Sequence, residues 1–180
     1  MKQVRIHDKI FQLYIPYAKI RASVKKMAQE MSHDFAGERP LFVCILNGSF
    51  MFAAELMKRI KRIETEISFV KLSSYAGVKT TGKVSQLIGL NENIEGRTVV
   101  ILEDIVDSGL TIDSIRQQLL KMNPAKIAIA TLLLKPDSLE KDVQLDYIGL
   151  KIPNDFIVGF GLDYNGLGRN LKDIYSVINE

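Results

Sequence analysis

Glu103 and Asp104, an adjacent acidic pair, stand just ahead of Asp107, Ser108, Gly109 and Thr111. Small and hydroxylated residues at that spacing suit a tight turn that opens a helix. The free amides at a helix start, helped by the helix dipole, hold phosphate. An acidic pair beside an anion site is repulsive unless the acids serve neutral hydroxyls or a metal. A sugar phosphate meets both demands, with phosphate on the turn and ribose hydroxyls on the acids. Taken singly, these residues have plainer readings: Asp107 and Ser108 as a helix cap, Glu103 and Asp104 as a solvated strand end.

The neighbouring sequence supplies the elements that would position them. Val99-Val100-Ile101-Leu102 is an unbroken apolar run, as in a parallel strand buried on both faces. Ile112, Ile115, Leu119 and Met122 recur at helical spacing until Asn123-Pro124 ends the pattern. Ile20, Val24, Met27 and Met31 predict an amphipathic helix after Pro16, ending near Gly37. Leu41–Leu46 reads as a strand and Phe50–Ile60 as a helix whose basic end, Lys58-Arg59 and Lys61-Arg62, is solvated. Ile67–Leu72, Gln86–Leu90 and Lys126–Leu134 complete the strands, and a polar stretch from Ser73 to Lys83 has the composition of a binding loop or lid.

Strands alternating with helices predict an α/β fold, a mainly parallel twisted sheet flanked by helices. Ligands of such sheets gather at the carboxyl ends of the strands, so the loops after Leu46, Leu72, Leu102 and Leu134 should meet at one crevice. After Asp146 the chain changes to short extended pieces broken by Pro153, Gly159, Gly161, Gly166 and Gly168. The expectation is one domain over 1–180, with a core over about 15–140 and a small hood from 1–14 and 141–180.

Composition narrows the function. A net charge of +3, from 24 basic and 21 acidic residues, is too mild for a nucleic-acid or membrane surface. The single cysteine, Cys44, lies in an apolar run and reads as a small buried hydrophobe. With His7 and His33 as the two histidines, the usual zinc sets cannot be assembled, so any metal should be oxygen-liganded, with magnesium the candidate. Charges at Lys2, Arg5, Asp8 and Lys9 leave no signal-type apolar core. No stretch approaches the roughly 20 apolar residues that span a bilayer, so a cytoplasmic setting is expected.

As an ordered string, Glu103-Asp104-Ile105-Val106-Asp107-Ser108-Gly109-Leu110-Thr111 resembles the phosphoribosyl-pyrophosphate loop of type I phosphoribosyltransferases, in the wording of their hypoxanthine-guanine branch. The similarity runs from about Ile45 to the C-terminus. It implies transfer of 5-phosphoribosyl from 5-phosphoribosyl 1-pyrophosphate (PRPP) to N9 of a 6-oxopurine. Glu103, Asp104, Asp107, Ser108, Gly109, Leu110 and Thr111 would bind PRPP, with Asp107 also the proton-transfer residue. Leu46, Asn47, Gly48 and Arg169 would hold pyrophosphate, the Leu46–Asn47 peptide being cis. Ser74 and Tyr75 would belong to a catalytic lid. Lys135 would donate to the purine O6, Phe156 would stack on the base, and Ile157 and Asp163 would meet its edge. Asp163, Glu103 and Asp104 would serve Mg2+, and the chain would form a homodimer or homotetramer.

Two positions depart from the family's habit, which places lysine at Asn47 and a basic residue at Leu110. At Asn47 the departure removes a side-chain charge contact but leaves backbone amides for the anion. Phosphate binding by backbone amides and the Ser108 and Thr111 hydroxyls does not depend on a basic residue at Leu110. Without the resemblance, Asn47-Gly48 equally reads as an ordinary turn, Lys135 as a solvated strand end and Phe156 as a core aromatic. The rival functions are transfer to xanthine or uracil, and a non-catalytic sensor of the donor or of RNA.

Overall fold

The computed structural model describes residues 2–74 and 85–178. A six-stranded sheet carries β3 (Leu41–Leu46), β4 (Glu66–Ser74), β5 (Ser85–Ile88), β6 (Thr98–Val106), β7 (Lys126–Leu134) and β8 (Tyr147–Lys151) in the order β5-β4-β3-β6-β7-β8. All neighbours are parallel except the edge strand β5, which is antiparallel to β4. A four-stranded antiparallel sheet forms the hood from β1 (Gln3–Ile6), β2 (Lys9–Ile15), β9 (Ile157–Val158) and β10 (Ile174–Val177), ordered β1-β2-β10-β9.

Three helices cover the larger sheet: α1 (Tyr17–Asp34), α2 (Phe50–Met57) and α3 (Leu110–Leu120). β3 shows why the sheet is covered on both faces. Its Phe42 and Cys44 join the core made with Ile20, Val24 and Met31 of α1 and Phe52 and Leu56 of α2. Leu41, Val43 and Ile45 join the core made with Ile112, Ile115 and Leu119 of α3. A strand buried on both sides must be apolar throughout, which is how it reads in sequence. The hood packs its own cluster of Ile6, Phe11, Val158 and Tyr175. It also caps α1, since the Tyr17 amide donates to Asp173 at 2.9 Å.

Several expectations are corrected. The helix after Pro16 stops at Asp34, followed by a turn through Gly37. Tyr147–Lys151, expected in the hood, is the outer strand of the larger sheet; its half-exposed edge pattern hides it among the short pieces that follow. β6 runs past Leu102 to Val106, so Glu103 and Asp104 lie within the strand and are buried rather than at a solvated end. The helix from Phe50 ends at Met57, and Lys58 and Arg59 are not simply solvated: they pair with buried Glu55 at 2.8 and 2.6 Å.

Glu55 also accepts from the Tyr17 hydroxyl at 2.9 Å, tying α2 to α1. Burial pushes its carboxyl up, but the Lys58 and Tyr17 hydrogen bonds and the Arg59 charge outweigh that and leave it below the ordinary range. The stability it contributes is therefore present above the ordinary glutamate range and is lost as pH falls through its lowered folded value. Glu55→Gln is expected to cost about 2 kcal/mol in denaturant melts at pH 7. A melt that matches wild type would show the cluster to be surface decoration.

Candidate active site

The turn after β3 is built from close approaches. The Leu46–Asn47 peptide is cis. A Cβ on Gly48 would collide with the Asp104 carboxylate, and a Cβ on Gly161 with the Gly48 carbonyl. Glycine at both positions lets the Asp104 carboxylate approach the β3 turn and the turn's Gly48 carbonyl approach the 159–169 segment. Arg169 holds this junction: its guanidinium donates to the Gly161 carbonyl at 2.7 Å and pairs with Asp163 at 2.7 Å. The other Asp163 oxygen accepts from the Gly166 amide at 2.7 Å. Gly48, Asp104, Asp163 and Arg169, distant in sequence, thus converge. Gly161 was visible in the sequence only as a chain break.

Glu103 and Asp104 are 9% and 8% exposed. Burial, then the Asp104 charge, raises Glu103 well above its ordinary value of 4.5. Burial also raises Asp104, against hydrogen bonds from Glu103 and the Ile105 amide and the Arg169 charge. Glu103 Oε2 is buried with no hydrogen-bond partner, an orphan acceptor where ribose hydroxyls were expected. A raised carboxyl contributes stability below its unfolded pKa and loses it as pH rises through the folded value. Glu103→Gln is therefore expected to flatten the fall in stability between a pH near the ordinary glutamate value and one well above it, and to be the more stable protein at the higher pH. Urea melts at the two pH values check this; parallel slopes would mean Glu103 is not held protonated.

Beyond β6, Gly109 is left-handed at φ +81° and opens α3. The first helical acceptor, the Gly109 carbonyl, is taken by the Asp113 amide, so the amides of Leu110, Thr111 and Ile112 lie outside the helix ladder. The Ser108 hydroxyl accepts weakly from the Leu110 amide at 3.4 Å, while the Leu110 and Thr111 side chains are exposed. The Ser108 carbonyl accepts from Glu140 and Lys141 amides at 2.9 and 3.2 Å, a buttress the sequence did not reveal. Asp107 and Lys135, at the ends of neighbouring strands, form an ion pair of 2.9 Å. The lysine side chain is 9% exposed and the aspartate 52%, so Asp107 faces outward from a buried cation.

Phe156 is exposed and stands on the hood, edge-on to Tyr164 at 5.6 Å and tilted against Phe11 at 6.1 Å. Ile157 next to it is buried in β9. Phe156 keeps to these hood aromatics, while Ile157 packs into the main core with Leu133 and Ile152. Ser74 ends β4, and Tyr75 lies outside the described residues. Burial pushes the Cys44 thiol up to about 11, despite its hydrogen bond with Ser49, so it is an inert core group.

The phosphoribosyl transferase domain model matches residues 16–165. This chain belongs to the phosphoribosyltransferase family. Within it, the chain is 41% identical over 153 residues to the hypoxanthine-guanine phosphoribosyltransferase of Streptococcus thermophilus, covering 84% of each. It is 38% identical over 170 residues to the hypoxanthine phosphoribosyltransferase of Escherichia coli K12, covering 93% of this chain and 95% of that one. The crystal structure of a Bacillus anthracis hypoxanthine-guanine phosphoribosyltransferase superposes with a TM-score of 0.85 at 37% identity, covering 93% of this phosphoribosyltransferase and 98% of that chain.

Proposed function

We propose that this phosphoribosyltransferase salvages purines, moving the 5-phosphoribosyl group of PRPP to N9 of hypoxanthine, and of guanine, to give IMP or GMP and pyrophosphate. The Asp107–Lys135 pair carries the reading. A 6-oxopurine in its N7–H form presents an acceptor, O6, beside a donor, N7–H. A cationic donor and a carboxylate acceptor 2.9 Å apart complement that edge. Adenine would set its amino group against the Lys135 ammonium, donor against donor.

The reaction breaks the bond from C1′ to the pyrophosphate oxygen and forms the bond from N9 to C1′. Asp107 takes the N7 proton as the N9 lone pair attacks. Glu103 and Asp104 hold the ribose hydroxyls, which gives the orphan Glu103 oxygen its partner. The amides of Leu110–Ile112, outside the helix ladder, hold the 5-phosphate with the Ser108 and Thr111 hydroxyls. Gly48 and Asn47 offer backbone, and Arg169 a guanidinium, to the departing pyrophosphate. Phe156 and Ile157 receive the base from the hood, and Ser74 and Tyr75 take the lid role that the family resemblance implies.

Among the described residues no three His, Cys, Asp or Glu side chains are grouped to hold a metal. Magnesium bound through phosphates needs only one or two carboxylates, so the oxygen donors of Asp163, Glu103 and Asp104 fit it. When bound, Mg2+ neutralises charge on the leaving pyrophosphate. A cytoplasmic homodimer or homotetramer belongs to the same proposal, supported by free, buried Cys44 and by Phe69 and Ile88, exposed on one face of β4 and β5.

Pyrophosphate release from PRPP, with hypoxanthine, guanine or adenine and with Mg2+ or a chelator, tests the reading. Release with the two oxopurines and not with adenine is expected, and only with the metal. No release with any purine would favour a donor-sensing regulator.

A further inference from the structure

The ladder between β6 and β7 runs without interruption from Thr98–Lys126 to Glu103–Thr131. It omits Asp104 and Leu132, then resumes at Ile105–Leu133 and Val106–Leu134. The same interruption crosses to β8: Thr131–Ile148 is followed by Leu133–Leu150, leaving out Leu132 and Gly149. Side-chain direction reverses there. Before the gap, Val100, Leu102, Ala128 and Ala130 pack on the α1–α2 side, and Val99, Ile101 and Ile129 on the α3 side. After it, Ile105 and Leu133 pack on the α1–α2 side, and Val106 and Leu134 on the α3 side. Simple alternation carried through would send each of these four to the opposite face.

Side chains take up backbone groups at the break. Wholly buried Thr131 donates its hydroxyl to the Leu133 carbonyl at 2.7 Å. Residues two apart in a regular strand are separated by about 6.6 Å, so this bond marks a kinked chain. The Ile105 amide donates to the Asp104 carboxylate at 3.0 Å. On the outer strand the Leu132 carbonyl points into the space that a Cβ on residue 149 would fill, and glycine leaves it room.

We infer that this three-strand break positions the reactive groups, with Thr131 and Gly149 as its positioning residues. Asp107 and Lys135 follow the ends of the two kinked strands directly. Their facing, and that of Asp104 at the break itself, is set by the reversal and not by the strands' first halves. Neither Thr131 nor Gly149 touches the ion pair; each acts through the strand that carries one of its members or that flanks it.

The inference rests on the reaction proposed above only for its kinetic test. In the full-length protein, Thr131→Val exchanges the hydroxyl for a methyl at nearly constant volume. It is expected to lower kcat about 100-fold, the effect of a misplacement near 1 Å, with Thr131→Ser restoring most of it. Gly149→Ala should give the same signature from the other side of the break. Because Thr131 lies on the strand that carries Lys135, Thr131→Val added to Lys135→Met should cost little further activity, whereas general damage to the fold would add. Wild-type kcat in Thr131→Val, or additive losses, would overturn the inference. A crystal structure of Thr131→Val decides the matter independently of substrate. A displaced Asp107–Lys135 pair supports the inference, and a pair retained with the break intact defeats it. Wild-type protein that releases no pyrophosphate with any purine would instead defeat the proposed reaction, leaving the structural arm to decide this one.

Discussion

Asp107→Asn is expected to lower kcat with hypoxanthine by about 100- to 1000-fold, the usual worth of a positioned general base. Asparagine keeps the volume and one acceptor oxygen, so Lys135 retains a partner and the fold changes little. What is lost is the capacity to take a proton. The anion contacts assigned to the α3 amides and to Gly48 do not involve the Asp107 carboxylate oxygens, so the KM for PRPP should move far less than kcat. Single-turnover measurements separate the chemical step from product release, and a thermal melt checks that the folded population is intact. Asparagine with wild-type turnover would remove Asp107 from proton transfer, and its bond to Lys135 would then be purely structural.

The sequence was legible wherever one physical demand ruled a stretch. β3 and the inner part of β7 are buried on both faces and therefore apolar, with Thr131 the exception in β7. α1 buries one stripe, so Ile20, Val24, Met27 and Met31 keep helical spacing. The turn from Asp107 to Thr111 carries its chemistry in local order, and the structure places it at the start of α3. Family membership was readable from that string and is borne out by the domain match.

Illegible parts depend on partners far along the chain. Two carboxylates after an apolar run look like a strand's exit, and only the fold shows Glu103 and Asp104 buried within β6. Lys58 and Arg59 look solvated until Glu55 is seen to be buried between them and Tyr17. The break across β6, β7 and β8 left no trace, because Leu132-Leu133-Leu134 is apolar in either register and period-2 alternation is silent in such a run. A device that aims reactive groups can thus be written entirely in core residues.

Lys135→Met should separate base choice from base activation. Methionine matches the length of the lysine stem and removes a buried cation. The Asp107 it leaves behind is half exposed and can be solvated, so little stability should be lost. The purine O6 then faces a thioether instead of a charged donor. A site built around a hydrogen bond discriminates strongly because the wrong base leaves a polar group unpaired, and that asymmetry disappears with the donor. The expected outcome is a fall of about 100- to 1000-fold in kcat/KM for hypoxanthine, together with a rise for adenine as the donor–donor clash is removed. The two specificity constants should approach each other, while Asp107→Asn lowers turnover and leaves the preference intact. Competition between labelled hypoxanthine and adenine in one reaction reads the ratio directly. If Lys135→Met still excludes adenine as wild type does, the O6 contact does not select the base, and selection passes to the hood around Phe156 and Ile157.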